Sequence, residues 1–523
     1  MRKLIAALLA ALLLLTGCQA PTEGALPQPS PEETAEPVTL RIMTMGNVPD
    51  YSEDAFYEQL DALTVPELGC VVRFSYIPWG DEKNTINNAI AAGEYDIYCN
   101  GVFTDYRSLA ERNAFVDLND YLYLVPELTA CYAQISPDAL AQCEIDGGLY
   151  GFPQAGSVTT SRDGIFLYRD DLLEEWGIEP VTSFATMENY LYAAKADPRF
   201  QAYPMIVDNR IWQCLREMLS GKEYLEITTM EDMRYAVVAV NAPYEAVCRM
   251  ETDTFQTILT YIQKWYRDGI IDEKILGLTD NEGVQALAML MAGQKPCETN
   301  STVNAVNVHY LPYLLEAHPE WSWNLFYNAQ DSLVYRKSLA DETCISVSSR
   351  CQYPEIAVRF IEKAHTDQRY FDLLECGVEG MQYHLEDGRV SYRDIPAAQK
   401  RVRWTGLVDV FMERPVSTED SPWLQTLEAY EEEIHWLENI AGDSPLIGLN
   451  LSMGGYDTSQ LDAVWDLYMK PILCGVTNDL EADYAAAMEA LYAAGLQDYL
   501  DEVQRQLTAY AGTLSAEDSE EET

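Results

Sequence analysis

Positive charge is scarce in this chain. Its 34 Lys and Arg stand against 84 Asp and Glu, a formal net charge of -50. No run of Lys or Arg could neutralise a phosphate backbone, and the overall field repels polyanions, which argues against nucleic acid as a partner. Histidine is rarer still: His309, His318, His365, His384 and His435 are dispersed. The 12 Cys contain no C-x-x-C pair, so no zinc or other metal site is expected, and no cofactor. Patterns of the H-E-x-x-H, G-x-S-x-G and G-x-x-x-x-G-K-S/T kinds are absent, so no catalytic residue is nominated.

Apolar residues are plentiful, at 48% of 523, enough for two or three sizeable cores. Aromatics reach 11%, with 34 Tyr and 10 Trp. At the N-terminus, Arg2 and Lys3 precede the apolar stretch Leu4 to Leu15, too short to remain as a membrane span. It ends in Leu15-Thr16-Gly17-Cys18, which resembles the bacterial lipobox. Residues 1–17 are therefore expected to be a lipoprotein signal peptide, with Cys18 the lipidated residue. Residues 18–37 carry five Pro and no apolar periodicity, the composition of a disordered tether. The chain is expected on the extracellular face of a bacterial cell membrane, anchored by lipid but not spanning it. The remaining eleven Cys are odd in number, which argues against a complete disulfide framework, and most read as small buried hydrophobes.

The folded body begins near Val38. Leu40 to Met45 reads as a buried strand, Asp54 to Thr64 as a helix burying Phe56, Leu60 and Leu63, and Val72-Phe74-Tyr76 as an alternating strand. A second helix follows Asp81 and stops at Gly93, and Tyr95 to Tyr98 forms a further strand. This β-α-β-α-β order implies an α/β fold with a largely parallel sheet. Ligands of such sheets collect beyond the carboxyl ends of the strands. Those ends carry Met45-Gly46-Asn47, Pro78-Trp79-Gly80 and Cys99-Asn100-Gly101. The C-terminal part reads as helical: one helix from Ser459, a second with Tyr484, Met488 and Leu491 on one face, and a third with Leu496, Leu500, Val503 and Leu507. The acidic stretch from Ser515 is expected to be disordered.

Several segments carry a family resemblance. Ala92-Gly93-Glu94-Tyr95-Asp96-Ile97, Asp146-Gly147-Gly148-Leu149-Tyr150-Gly151-Phe152-Pro153, Leu167-Tyr168-Arg169-Asp170-Asp171-Leu172-Leu173 and Met291-Ala292-Gly293-Gln294 follow one another in order. They resemble segments of the family 1 extracellular solute-binding proteins of ABC transporters. Gly148 stands where that family has Lys, and Gln294 likewise. Leu373-Leu374-Glu375-Cys376-Gly377-Val378-Glu379-Gly380-Met381-Gln382-Tyr383 and Ser444-Pro445-Leu446-Ile447-Gly448 resemble a lipoprotein subgroup with a C-terminal domain of unknown function, Cys376 departing from its aromatic.

The resemblance implies a two-lobe, type II periplasmic-binding-protein-like fold with a hinge and a helical C-terminal region. It implies a first lobe of residues 38–153 and 296–343, a second lobe of 154–295 and 344–511, and an acidic tail over 512–523. It further implies a monomeric receptor that binds a small solute between the lobes and delivers it to an ABC import permease. Sugars present apolar faces to aromatic rings and hydroxyl edges to amides and carboxylates. An oligosaccharide is accordingly the expected ligand, with Asn47, Trp79, Asn100 and Asp105 on the first lobe, Tyr150 at the hinge, and Trp212 and Trp404 on the second. Asp96 is expected to end a strand rather than touch ligand. The competing readings are a peptide or other small-solute receptor on the same fold and a secreted glycoside hydrolase, for which Asp146 and Glu379 would be a carboxylate pair.

Overall fold

A computed structural model describes residues 36–46, 48–49, 51–78, 82–101, 104, 106–135, 139–153, 164–219, 223–227, 234–278, 284–301, 306, 310–327, 335, 343–400, 410–417, 422–449, 451, 453 and 456–521. The expected signal peptide, the expected lipidation residue Cys18 and nearly all of the expected tether lie outside the described residues, as do Asn47, Trp79, Asp105 and Trp404.

The first sheet grows from β1 (Val38–Met45), β2 (Cys70–Ile77) and β3 (Ile97–Gly101). β1 pairs in parallel with both neighbours, as the intervening helices Asp54–Leu68 and Glu82–Ala92 require. Alternation along β2 buries Cys70, Val72 and Phe74 while Arg73 reaches out to Asp61. A hairpin of β4 (Glu144–Ile145) and β5 (Gly148–Leu149) precedes β6 (Phe152–Pro153). Its two turn residues, Asp146 and Gly147, have φ of 52° and 83°, the positive pair that a two-residue hairpin turn needs.

The chain then enters a second sheet at β7 (Ile165–Arg169). A small three-stranded sheet follows, of β8 (Tyr224–Leu225), β9 (Ala236–Ala239) and β10 (Ala242–Cys248). β11 (Cys297–Ser301) and β12 (Trp323–Phe326) flank β7, both antiparallel to it. β13 (Thr343–Val347) returns to the first sheet between β3 and β6, giving the order β2-β1-β3-β13-β6.

Each sheet has its own core. Leu40, Val72, Ile97, Phe152, Ile345 and Phe360 lie together around the first. Phe166, Tyr190, Leu215, Trp265, Met469 and Val503 lie together around the second. The expected two-lobe α/β architecture is thus present, with the C-terminal helices Leu480–Ala493 and Leu496–Glu521 packed onto the second core.

The allocation of the middle of the chain differs from expectation. The resemblance puts residues 296–343 in the first lobe, but β11 and β12 pair with β7 of the second. It puts residues 344–375 in the second lobe, but β13 and the helices Pro354–Thr366 and Gln368–Glu375 belong to the first sheet and core. The physical reason is apolar matching across the ladders: Ile345 and Val347 join the core of Ile97 and Phe152, and Cys297 joins that of Tyr168.

Two local expectations also change. Asp96 does not end a strand but precedes β3, where its carboxylate accepts the Arg41 backbone N–H at 2.9 Å and faces its guanidinium at 3.2 Å. The acidic stretch beyond Ser515 continues the last helix to Glu521. No Gly or Pro interrupts it after Gly512, and extending an existing helix needs no new nucleus. Of the eleven Cys other than Cys18, nine are buried and none is paired in a disulfide. Burial pushes the thiols of Cys99, Cys297 and Cys474 up to about 12.

Candidate functional site

The parallel strands set the site's frame. Met45 pairs with Ile77, and the β1–β3 register of Met43 with Tyr98 runs forward to place Met45 beside Asn100. The three carboxyl ends that carry Asn47, Trp79 and Asn100 in sequence therefore finish side by side. Gly46 has φ 118°, which lets the chain leave β1 in a conformation a side chain would resist.

Asn100 is fully buried opposite Cys344. Its amide nitrogen reaches the Tyr98 carbonyl at 3.5 Å, while its Oδ1 has no hydrogen-bond partner. Ser346 Oγ, farther along β13, is likewise buried and unpartnered. Unmatched buried acceptors and hydroxyls are costly in a core, and an ordered water commonly satisfies them. Gly151 lies against the same strand: a Cβ on it would stand 2.9 Å from Cys344 Cβ and from Ser346 Oγ.

Tyr150 is half-buried between β5 and β6, immediately before the chain leaves the first lobe. Its backbone N–H donates to the Tyr106 hydroxyl at 3.2 Å, and that hydroxyl donates to the Cys143 carbonyl at 3.3 Å. Tyr106 is packed against Phe115, and burial raises its phenol well above the usual range, so it stays a neutral hydrogen-bonding post. The Tyr150 ring folds back over Gly148. No sequence pattern announces Tyr106, because its partner lies 44 residues away.

Trp212 does not belong with these residues. It is 7% exposed in the second core, its ring 5.8 Å from that of Trp465. One edge borders a crevice with Arg216, Glu226 and Arg249. There Arg249 holds the Glu226 carboxylate with both terminal guanidinium nitrogens, and Arg216 approaches it at 3.4 Å. Trp212 packs the second lobe because it lies on the inward face of an amphipathic helix, Ile211–Leu219, with Cys214, Leu215 and Met218. Asp146 and Glu379, the candidate carboxylate pair, each serve a local turn instead: Asp146 makes the β4–β5 turn, and Glu379 bridges to Tyr383. Among the described residues no three His, Cys, Asp or Glu gather into a metal site, and no helix is long and apolar enough to cross a membrane.

The family described as bacterial extracellular solute-binding protein matches residues 61–375, more than half of the chain. A domain of unknown function (DUF3502) matches residues 457–512. No curated protein matches the chain in sequence. Among solved structures, the N-glycan transport solute-binding protein NgtS of Streptococcus pneumoniae in complex with Man1GlcNAc is 18% identical with a TM-score of 0.67, covering 90% of this chain and 99% of that one. The ABC-transporter substrate-binding protein FusA of S. pneumoniae with kestose is 14% identical with a TM-score of 0.60, covering 91% and 100%. An HMO-binding solute-binding protein of Bifidobacterium longum infantis is 15% identical with a TM-score of 0.58, covering 91% and 99%. At these identities the likeness shows the fold, which is that of a type II solute-binding protein.

Proposed function

The chain belongs to the bacterial extracellular solute-binding protein family, and from that premise we propose that it captures an oligosaccharide between its lobes and delivers it intact to an ABC import permease. The observation that carries the sugar reading is the set of structural neighbours, matched over nearly their whole length, that are named for N-glycan, kestose and HMO ligands. The first lobe's site is compatible with it. Tyr150 offers a half-buried ring and hydroxyl suited to sugar C–H faces and hydroxyls, and the neutral amide of Asn100 stands buried at the neighbouring strand end. Asn47 and Trp79, at strand ends in the sequence, and Asp105, shortly after the third, extend that set, and Trp404 remains a further aromatic candidate.

The receptor acts by closure. Solute that bridges both lobes favours the closed form by its differential contacts, and release accompanies opening at the permease. The protein is a monomeric, lipid-anchored receptor held through Cys18 outside the cell membrane, without catalytic activity. A thermal-shift screen of residues 19–523 against mono- and oligosaccharides and short peptides tests this. A ligand at ~100 times its Kd adds about 2.7 kcal/mol of stability. A sugar hit recovered chemically unchanged supports the reading. A peptide hit, or a sugar returned cleaved, overturns it.

A further inference from the structure

The chain makes an excursion between the two cores after the helix Gln368–Glu375. It passes through a turn into a hairpin of β14 (His384–Glu386) and β15 (Arg389–Ser391), and then into a single helical turn, Ala397–Gln399. Both ends of the excursion are fastened to the first lobe. Arg414 Nε stands 2.9 and 3.0 Å from the two carboxylate oxygens of Asp372. Phe411 meets Tyr132 of the first core edge to face at 5.3 Å. The Val390 N–H donates to the Pro415 carbonyl and the Val390 carbonyl accepts from the Ser417 N–H, closing the strap on itself.

The tip of the strap reaches the other lobe. The Ala397 N–H donates to a carboxylate oxygen of Glu316 at 2.7 Å. Glu316 stands on the helix Leu311–Ala317, whose Leu311 and Leu314 pack with Leu167 of β7 and Trp323 of β12. Lys400, just beyond the turn, lies over the Tyr392 ring at 5.3 Å and within the field of the same carboxylate. An N–H bound to a carboxylate is roughly twice as strong as a neutral bond, and its geometry cannot survive a rigid rotation of one partner's support.

We infer that Glu316 is a positioning residue for solute capture: by binding the Ala397 N–H it ties the first lobe's strap, residues 384–400, to the second lobe and fixes the resting angle between them. The tether requires the two-lobe receptor reading but not any particular solute. Closure must either carry the strap along or break this bond, so the contact sets how far the lobes sample other angles before solute arrives.

The test measures the distance between the lobes in the ligand-free mature chain. Spin labels on non-natural side chains at Glu58 and Thr257, exposed positions on a first-lobe and a second-lobe helix, leave the native thiols untouched. Glu316→Ala and Ala397→Pro should each broaden the distance distribution roughly two-fold while the melting temperature stays near wild type. The proline removes the donor without a backbone conflict, because Pro396 already has ψ 142°. Glu316→Gln keeps an acceptor for Ala397 and should stay near the wild-type width. Unchanged widths in both disruptive variants would overturn the tether, as would a lowered melting temperature at unchanged width. A wild-type distance that no stabilising solute shifts would instead overturn the two-lobe receptor reading.

Discussion

The Tyr150 ring occupies the space that a Gly148 side chain would need: a Cβ there would stand 2.7 Å from the ring's Cε2, Cζ and hydroxyl oxygen. The backbone of Tyr150 is held separately by Tyr106, so added bulk at Gly148 must displace the ring. Gly148→Ala is expected to weaken the stabilising solute by ~10-fold, about 1.4 kcal/mol. In a Tyr150→Ala background the same change should add little. Titration calorimetry of the four proteins in this cycle checks it, and equal losses in both backgrounds would refute the coupling.

Trp212 gives the opposite expectation. Truncating a buried ring removes its burial and leaves a cavity, so Trp212→Ala should cost ~3–5 kcal/mol in urea unfolding. Solute affinity of the folded fraction should not change. A binding loss without a stability loss would return Trp212 to the site.

Lys295 and Glu298 form an ion pair that is almost completely buried, with Nζ 2.6 Å from Oε2. Burial pushes the Glu298 carboxyl up, and the Lys295 ammonium opposes that. Lys295→Met strands the acid and should destabilise the protein by ~3–5 kcal/mol, whereas Lys295→Met with Glu298→Leu should recover most of the loss. Equilibrium denaturation of the single and double variants distinguishes the two.

His365 lies in the first core, fully buried, with Nδ1 2.7 Å from the Ile361 carbonyl and Nε2 unpartnered. Burial holds it down at about 4, below the ordinary 6.5. The native state then binds fewer protons than the unfolded chain between these values. The stability from the neutral ring is whole above pH 6.5 and is lost as pH falls toward 4, up to about 3 kcal/mol. Unfolding free energies measured from pH 7 to 4.5 should show this decline, and His365→Leu should flatten it.

Much of the first lobe is legible in the sequence because its signals are local. Alternation in Val72-Phe74-Tyr76, the Phe56 and Leu60 helix face and the break at Gly93 each depend on neighbours within a turn or two. Asn100 falls at a strand end by order alone, and the fold puts it in a buried, unmatched position there. Trp212 misleads because a Trp on an inward helix face and a Trp in a cleft have the same one-letter signature. Tyr106 and Glu316 carry no signal, since each acts on a backbone N–H far along the chain, at Tyr150 and Ala397.

The sequence by itself determined the elements, an α/β class and the strand ends where a solute site would gather, because periodicity, caps and turn chemistry are local properties of a chain; the two lobes were implied by the family resemblance. The tertiary structure alone decided partners. β11 and β12 could have joined either sheet by their own composition, and they joined β7, while β13 joined β3. It also decided that Gly148 makes room for Tyr150 and that Glu316 ties one lobe to the other. Such choices turn on apolar faces and single donors meeting across long loops, and the free energy that selects them exists only once the chain has closed on itself.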